Sequence, residues 1–358
     1  MVNKKKFLSP LLTALAVTLA LGIPTAGVQA ATDQIPTTRI GEGDRIGTAD
    51  QLAIEQFKTS KNVVLVNGYG YADAVSATPL AKQLDAPILL THGEDTLESE
   101  VSSTMDQLGA ANVYIIGGTG VVSQSMEDNL KTKYGDEKVQ RIQGTTDTTR
   151  MGTNAAVAQK VLDMGGKKSA VLVNGQDGYA DSLSVASIAA QNGYPVLFAN
   201  KQEVPSVVKD VITSNSLSNI QAAGGSGVLP EAVVDSVNAS KITDDSNMAN
   251  RFATNLAILN HFKSSLDFNT VYVAAGGASD DQFADALVAS AAAAKTDSPV
   301  VLSGVGAGED QIIYANAYIL GNADSSSKAV IVGGTASVSQ EIQTTLENGE
   351  DFEVIGIE

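Results

Sequence analysis

The chain has 358 residues, 40 of them acidic and 23 basic, for a net charge of −17, and it contains neither cysteine nor tryptophan. So acidic a chain is repelled overall by nucleic acid and by anionic membranes, so any anionic partner has to be met by a local group of arginines and lysines. With no disulfides the fold rests on packing alone, and the low aromatic content argues against a sugar-stacking lectin groove.

Residues 1–30 read as a secretory signal peptide. Lys4, Lys5 and Lys6 form the basic start, Phe7 to Ile23 the apolar core, and Val28-Gln29-Ala30 a small-residue cleavage signal. No later stretch supplies the roughly 18 apolar residues of a membrane span, so no integral anchor is expected after cleavage. Residues 31–38 read as a short leader without structure. The remainder is too long for one core and suits three domains of about 100 residues.

Arg39-Ile40-Gly41 opens the first unit, and a helix follows over Thr48–Phe57 with Thr48 as a candidate cap. Next come an apolar strand at Val63–Val66, a turn at Asn67-Gly68, and a small-residue helix carrying Asp73. Pro87 leads into a second buried strand at Ile88-Leu89-Leu90. A helix over Thr96–Leu108 connects it to a strand at Val113–Ile116, which ends at Gly117-Gly118. Ser123 is placed to cap a helix over Gln124–Tyr134, and a short strand at Val139–Ile142 closes the unit.

The same order returns twice. The Ala-Asp pairs end at Asp73, Asp181 and Asp285, and Pro87, Pro195 and Pro299 each follow 14 residues later. Gly-Gly pairs begin at Gly117, Gly224 and Gly333. Such a period marks a tandem repeat. The units are 39–140, 141–240 and 241–358, the last expected to close at Glu353–Ile355. Strands apolar on both faces alternate with helices throughout, which predicts an α/β unit with a mostly parallel sheet, three times over.

Candidate chemistry is sparse. The glycine turns resemble phosphate-cradling loops, yet neither the dinucleotide pattern nor the P-loop pattern is intact across the copies. Asp73, Asp181 and Asp285 recur near helix starts, where a carboxylate suits the helix dipole, but one acid per unit is not an acid–base pair. His92 and His261 have no counterparts in the other units, so neither a Ser-His-Asp triad nor a zinc site recurs, and no metal or cofactor is expected. An exported hydrolytic or nucleotide-binding α/β enzyme and a self-assembling surface-layer component are the alternatives to a binding protein. More informative are Arg45, Arg150 and Arg251, each ahead of the first helix of its unit. A cation there opposes the helix dipole, so a further interaction has to hold it: an ion pair with an acid such as Asp73, or an anionic polymer gripped by the guanidinium fork.

The Arg-x-x-T/A-N/D helix start, the strand–NG–YADA helix, the Ile-Leu-Leu strand and the strand–Gly-Gly–V-S segment together resemble the cell wall-binding type 2 repeat family of Gram-positive surface proteins. The resemblance spans nearly all of residues 39–358. It implies Toprim-like or Rossmann-like repeats packed around a pseudo-threefold axis, in a secreted monomer attached noncovalently to an anionic secondary cell-wall polysaccharide. Carried over by position, its binding residues are Arg45, Arg150 and Arg251 with Ile88, Leu89 and Leu90. The Ile-Leu-Leu segment becomes Val196-Leu197-Phe198 and Val300-Val301-Leu302 in the other units. Lys241 replaces the opening arginine of the third unit, which marks its site as the most altered.

Overall fold

The computed structural model describes residues 34–177, 180–243, 250–279 and 282–349. The signal peptide expected at 1–30 and the closing strand expected at Glu353–Ile355 lie outside these.

Strand β1 (Thr37–Ile40) leads into α1 (Arg45–Phe57), β2 (Asn62–Asn67), the short helices α2 (Tyr71–Ala74) and α3 (Thr78–Gln83), and β3 (Ile88–Thr91). Helix α4 (Ser99–Leu108), β4 (Asn112–Ile116), α5 (Gln124–Tyr134) and β5 (Val139–Ile142) follow. The second turn of the pattern runs α6 (Arg150–Asp163), β6 (Ser169–Asn174), α7 (Ala180–Asn192), β7 (Val196–Ala199), α8 (Ser206–Ser214), β8 (Asn219–Ala222), α9 (Glu231–Asp235) and β9 (Ser240–Lys241). The third comprises α10 (Arg251–His261), β10 (Thr270–Ala275), α11 (Ala284–Lys295), β11 (Val300–Ser303), α12 (Glu309–Asn322), β12 (Lys328–Val332) and α13 (Gln340–Asn348).

These strands form three separate four-stranded sheets, ordered β3-β2-β4-β5, β7-β6-β8-β9 and β1-β12-β10-β11, with every pairing parallel. The expected α/β class is therefore what is seen. The central strands β2, β6 and β10 are buried on both faces, which is why their sequences read as unbroken apolar runs.

The fourth strand of each sheet comes from the segment that opens the following unit. Val139–Ile142 completes the first sheet before the chain enters α6, and Ser240–Lys241 completes the second before α10. The third sheet is completed by β1, from the other end of the chain, paired in register from Thr37 with Ala329 to Ile40 with Val332. Residues 31–38 were expected to be an unstructured leader, yet Ile35 is buried and its N–H donates to the Leu346 carbonyl at 2.8 Å. Ile35 before Pro36 and Ile40 after Arg39 give this segment two buried anchors, and β12 offers the open edge it pairs with.

The first helices begin earlier than the sequence predicts: at Arg45 rather than Thr48, at Arg150 where the sequence predicts Thr153–Leu162, and at Arg251 where it predicts Ala253–Phe262. Asp44 and Thr149 are the caps, accepting from Gly47 N and Met151 N, while Thr48 instead turns its hydroxyl back to the Asp44 carbonyl. Asn250 caps α10, accepting from Phe252 N and Ala253 N, and Ser123 caps α5 as expected. As a result Arg45, Arg150 and Arg251 are each the first helical residue.

The small-residue helices build the centre. α3, α7 and α11 pack on one another, the Ala and Ser side chains of α7 and α11 letting the axes come close, with Thr78 and Ala81 buried on α3. Thr78 and Ser290 stand five residues after Asp73 and Asp285, and their hydroxyls meet at 2.7 Å in the buried centre. Contact between equivalent positions fits helices gathered at a pseudo-threefold axis. In the first unit this helix is divided into α2 and α3. Pro79 stands where the others have Ser187 and Ala291, and its ring removes a helix hydrogen bond.

Candidate functional site

The first helix of each unit packs on the outer strand of its own sheet and also reaches the small-residue helix of the preceding unit. α6 contacts α3, α10 contacts α7, and α1 contacts α11. The contacts are cyclic, so the three junctions are equivalent by position, and the last unit meets the first.

Each junction brings together an arginine from one unit and an aspartate from the preceding one. Arg45 donates from Nη1 to the Gly68 carbonyl at 2.7 Å; Arg150 lies against the Gly175 and Gln176 carbonyls; Arg251 donates to those of Gly276 and Gly277 at 2.9 Å. The aspartates stand beside the Gly-Gly turns. Gly117, Gly224 and Gly333 all have positive φ, and a Cβ on Gly117 or Gly224 would fall 2.9 or 3.0 Å from the carboxylate of Asp73 or Asp181. Only glycine fits both the backbone conformation and the space.

Burial raises the pKa of all three acids. For Asp73 the Thr153 hydroxyl and the Arg150 charge pull the other way; for Asp285 the Ser337 hydroxyl and the Arg45 charge do so. Asp181 is pushed up to about 6 by burial, with the Arg251 charge opposing. The opposing charge comes from the next unit every time: Arg150 acts on Asp73, Arg251 on Asp181, Arg45 on Asp285. Sequence reasoning offered an ion pair between arginine and Asp73-type acids as one possibility, and its inter-unit direction was not legible there. The junctions lie beyond the carboxyl ends of β2, β6 and β10, each flanked by neighbours reached in opposite directions; crevices at such switch points are where open parallel sheets bind ligands.

The opening arginines do something different. Arg141 pairs with Glu127 at 2.6 Å and donates to the Gly117 and Ser123 carbonyls; Arg39 donates to Gln343, Gly333 and Ser339. Each clamps a fourth strand to the turn after its neighbour. Lys241 replaces that clamp with one Glu231 contact at 3.9 Å, and β9 has only two residues where β1 and β5 have four. The departure at Lys241 therefore falls on the second sheet.

Ile88, Leu89 and Leu90 are wholly buried in β3. Their side chains are out of reach of a ligand, and their direct role is to hold that strand and the loop after it. The glycine turns present carbonyls to arginines, at Gly68 and Gly117, which disfavours reading them as N–H cradles for phosphate. His92 bonds Glu98 at 2.7 Å and stacks on Tyr69; His261 meets Phe262 edge-on. Among the described residues no group of three or more acidic, His or Cys side chains could hold a metal, and no helix is long and apolar enough to cross a membrane. Sequence reasoning passed over Tyr69, which stands one residue past the Gly68 turn and has no aromatic counterpart in the other units.

A family model described as cell wall binding domain 2 matches the chain three times, at residues 39–127, 141–234 and 249–343. The chain is 33% identical over 320 residues to N-acetylmuramoyl-L-alanine amidase LytC of Bacillus subtilis (strain 168), covering 89% of this chain and 60% of that protein. It is 28% identical over 327 residues to the amidase enhancer of the same organism, covering 90% of this chain and 42% of that one. Among solved structures, Cwp6 from Clostridium difficile superposes with a TM-score of 0.74 at 25% identity over 92% of this chain and 50% of that one. Cwp8 from Clostridium difficile gives 0.71 at 25% over 94% and 55%. The chain thus spans about half to three-fifths of the length of most of these relatives.

Proposed function

Since the chain belongs to the cell wall binding domain 2 family, we propose that its three repeats, bounded at 39–140, 141–240 and 241–358, attach it noncovalently to an anionic secondary polymer of a Gram-positive cell wall, after export and without catalysis. The observation that carries this reading is the threefold recurrence of an arginine, fixed at the first residue of a helix, at the crevice between two repeats. A guanidinium and the positive end of a helix dipole then face the same space. Phosphate or carboxylate groups along a polymer compete with Asp73, Asp181 and Asp285 for Arg150, Arg251 and Arg45. Three crevices around one axis give an extended chain several points of attachment, so modest single contacts add up. Ile88, Leu89 and Leu90 contribute by fixing the loop that borders the first crevice. The sparse and localised positive charge, set in an acidic surface, makes binding sensitive to salt.

Cosedimentation with purified Gram-positive walls, before and after acid extraction of their anionic polymer, tests this. Retention is expected on intact walls, declining with added salt, and is expected to vanish on extracted ones. Equal retention on extracted walls would overturn the reading.

A further inference from the structure

We propose that the junction between the third and first repeats carries a subsite for an acidic sugar residue, built by Arg45, Tyr69 and His92, which the other two junctions lack. It rests on the reading that the junction arginines meet a wall polymer, and it names the chemistry one of them selects.

Three side chains, one from a helix start and two from loops after strands, converge there. The Arg45 guanidinium carbon lies 4.6 Å from the centroid of the Tyr69 ring, and the His92 ring stacks on Tyr69 at 4.6 Å with an interplanar angle of 17°. Arg45 starts α1, Tyr69 follows β2 and His92 follows β3, so the group sits on the carboxyl-terminal edge of the first sheet. Tyr69 keeps 47% of its surface exposed, and the His92 side chain is as open. A half-exposed tyrosine held by a cation and a stacked ring is fixed before any ligand arrives, which lowers the ordering cost of binding.

The hydrogen bonding of His92 gives the group its polarity. Glu98 Oε1 accepts from the His92 backbone N–H and lies 2.7 Å from Nδ1. An ionised carboxylate only accepts, so Nδ1 carries the proton and Nε2 is left for a ligand. As a neutral ring, Nε2 takes a hydrogen bond from a sugar hydroxyl; as a cation, it donates to an anion. Arg45 spends Nη1 on the Gly68 carbonyl, which pins the guanidinium while its fork still suits a carboxylate or phosphate. The neighbouring charges are Asp285, which faces Arg45 from the third repeat, and Glu98 behind His92. A ligand with both an anionic group and hydroxyls uses all three side chains. A neutral sugar or a bare anion uses part of them.

The other junctions are built differently. Gln176 and Asn200 stand at the two positions in the second repeat, Gly277 and Gly304 in the third. Neither pair supplies an aromatic or imidazole ring beside its arginine.

The chain has two histidines, which supplies both a reporter and a control. The full protein is titrated with glucuronate, with the anomeric phosphate of glucose, and with glucose, while the two imidazole Cε1–H signals are followed by NMR. We expect the His92 signal to move saturably with both acidic sugars and to ignore glucose, with His261 unmoved. Tyr69→Gln, which installs the residue of the second repeat, is expected to weaken the response at least tenfold. Movement of His92 no greater than that of His261, or unchanged affinity in Tyr69→Gln, overturns the proposal. A silent His92 in a protein that still sediments with walls removes the subsite and leaves the anchoring intact. A responsive His92 in a protein that walls do not retain removes the anchoring and leaves the subsite.

Discussion

Alanine at both Ile35 and Ile40 is expected to strip the third repeat of most of its stability. Both side chains are buried, at 1% and 0% exposure, where the first strand covers β12 and the last helix. A buried isoleucine truncated to alanine costs about 2–5 kcal/mol. Two such losses rival the roughly 5–15 kcal/mol that holds a typical domain. The loss should show as a lower melting temperature and as faster hydrogen exchange in β10 and β12 ahead of β2 and β4. Were residues 31–38 a loose leader, Ile35→Ala would stay within about 0.5 kcal/mol of wild type.

Much of the reason lies in what repeats reveal and hide. The triplication, the strand and helix order and the α/β class were all legible, because buried parallel strands write continuous apolar runs and glycine turns mark their ends. Which strand pairs with which was not. Arg39-Ile40, Arg141-Ile142 and Lys241-Ile242 each precede a first helix, so they read as the opening of a unit, although Val139–Ile142 also reads as the strand that closes the first. Physically each closes the sheet before it, and only the first has to find its partner at the far end of the chain.

The second large effect concerns Asp50, buried at 6% exposure in α1 against α4. Neither carboxylate oxygen has a hydrogen-bond partner that satisfies it, and the Thr104 hydroxyl opposes the shift only in part. Burial pushes its pKa up to about 7, and the carboxylates of Glu100, Glu98 and Asp44 add to the push. The second and third repeats place Ala155 and Leu256 at this position. They also carry Asn154 and Asn255 one residue earlier, each bonding two backbone groups of its outer strand, where the first repeat has Ala49.

The sign follows from linkage. Folded Asp50 holds its proton to about pH 7, while in the unfolded chain an aspartate releases it near pH 3.9. Its contribution is therefore fully favourable below the unfolded value and is lost as pH rises through the folded one. Three units at 1.36 kcal/mol each give a loss on the order of 4 kcal/mol. Asp50→Asn is expected to flatten that part of the stability curve, so that the variant outlasts wild type in urea at pH 8 and the two converge at pH 4. Parallel curves at both pH values would show that the buried carboxylate is not what titrates. Asp73, Asp181 and Asp285 slope the same way in both proteins and cancel in the difference.

The candidate site was legible in part. Arg45, Arg150 and Arg251 stood out because a cation at a helix start contradicts the dipole, and that contradiction does mark the junctions. Ile88, Leu89 and Leu90 followed from resemblance, and the structure buries them in β3. The opposing aspartates read as serving the dipoles of their own helices because each lies about 70 or more residues from its arginine and in another unit. A spacing along one repeat cannot display a contact made between two.

The most direct test of the junctions as binding sites replaces Arg45, Arg150 and Arg251 together, once by alanine and once by lysine, and measures sedimentation with intact walls alongside thermal melting. The account predicts cooperative melting for both variants. It predicts at least a tenfold loss of wall affinity for the alanine form and a smaller loss for the lysine form, which keeps charge without the guanidinium fork. An alanine variant that melts cooperatively and sediments with walls as wild type does would contradict it.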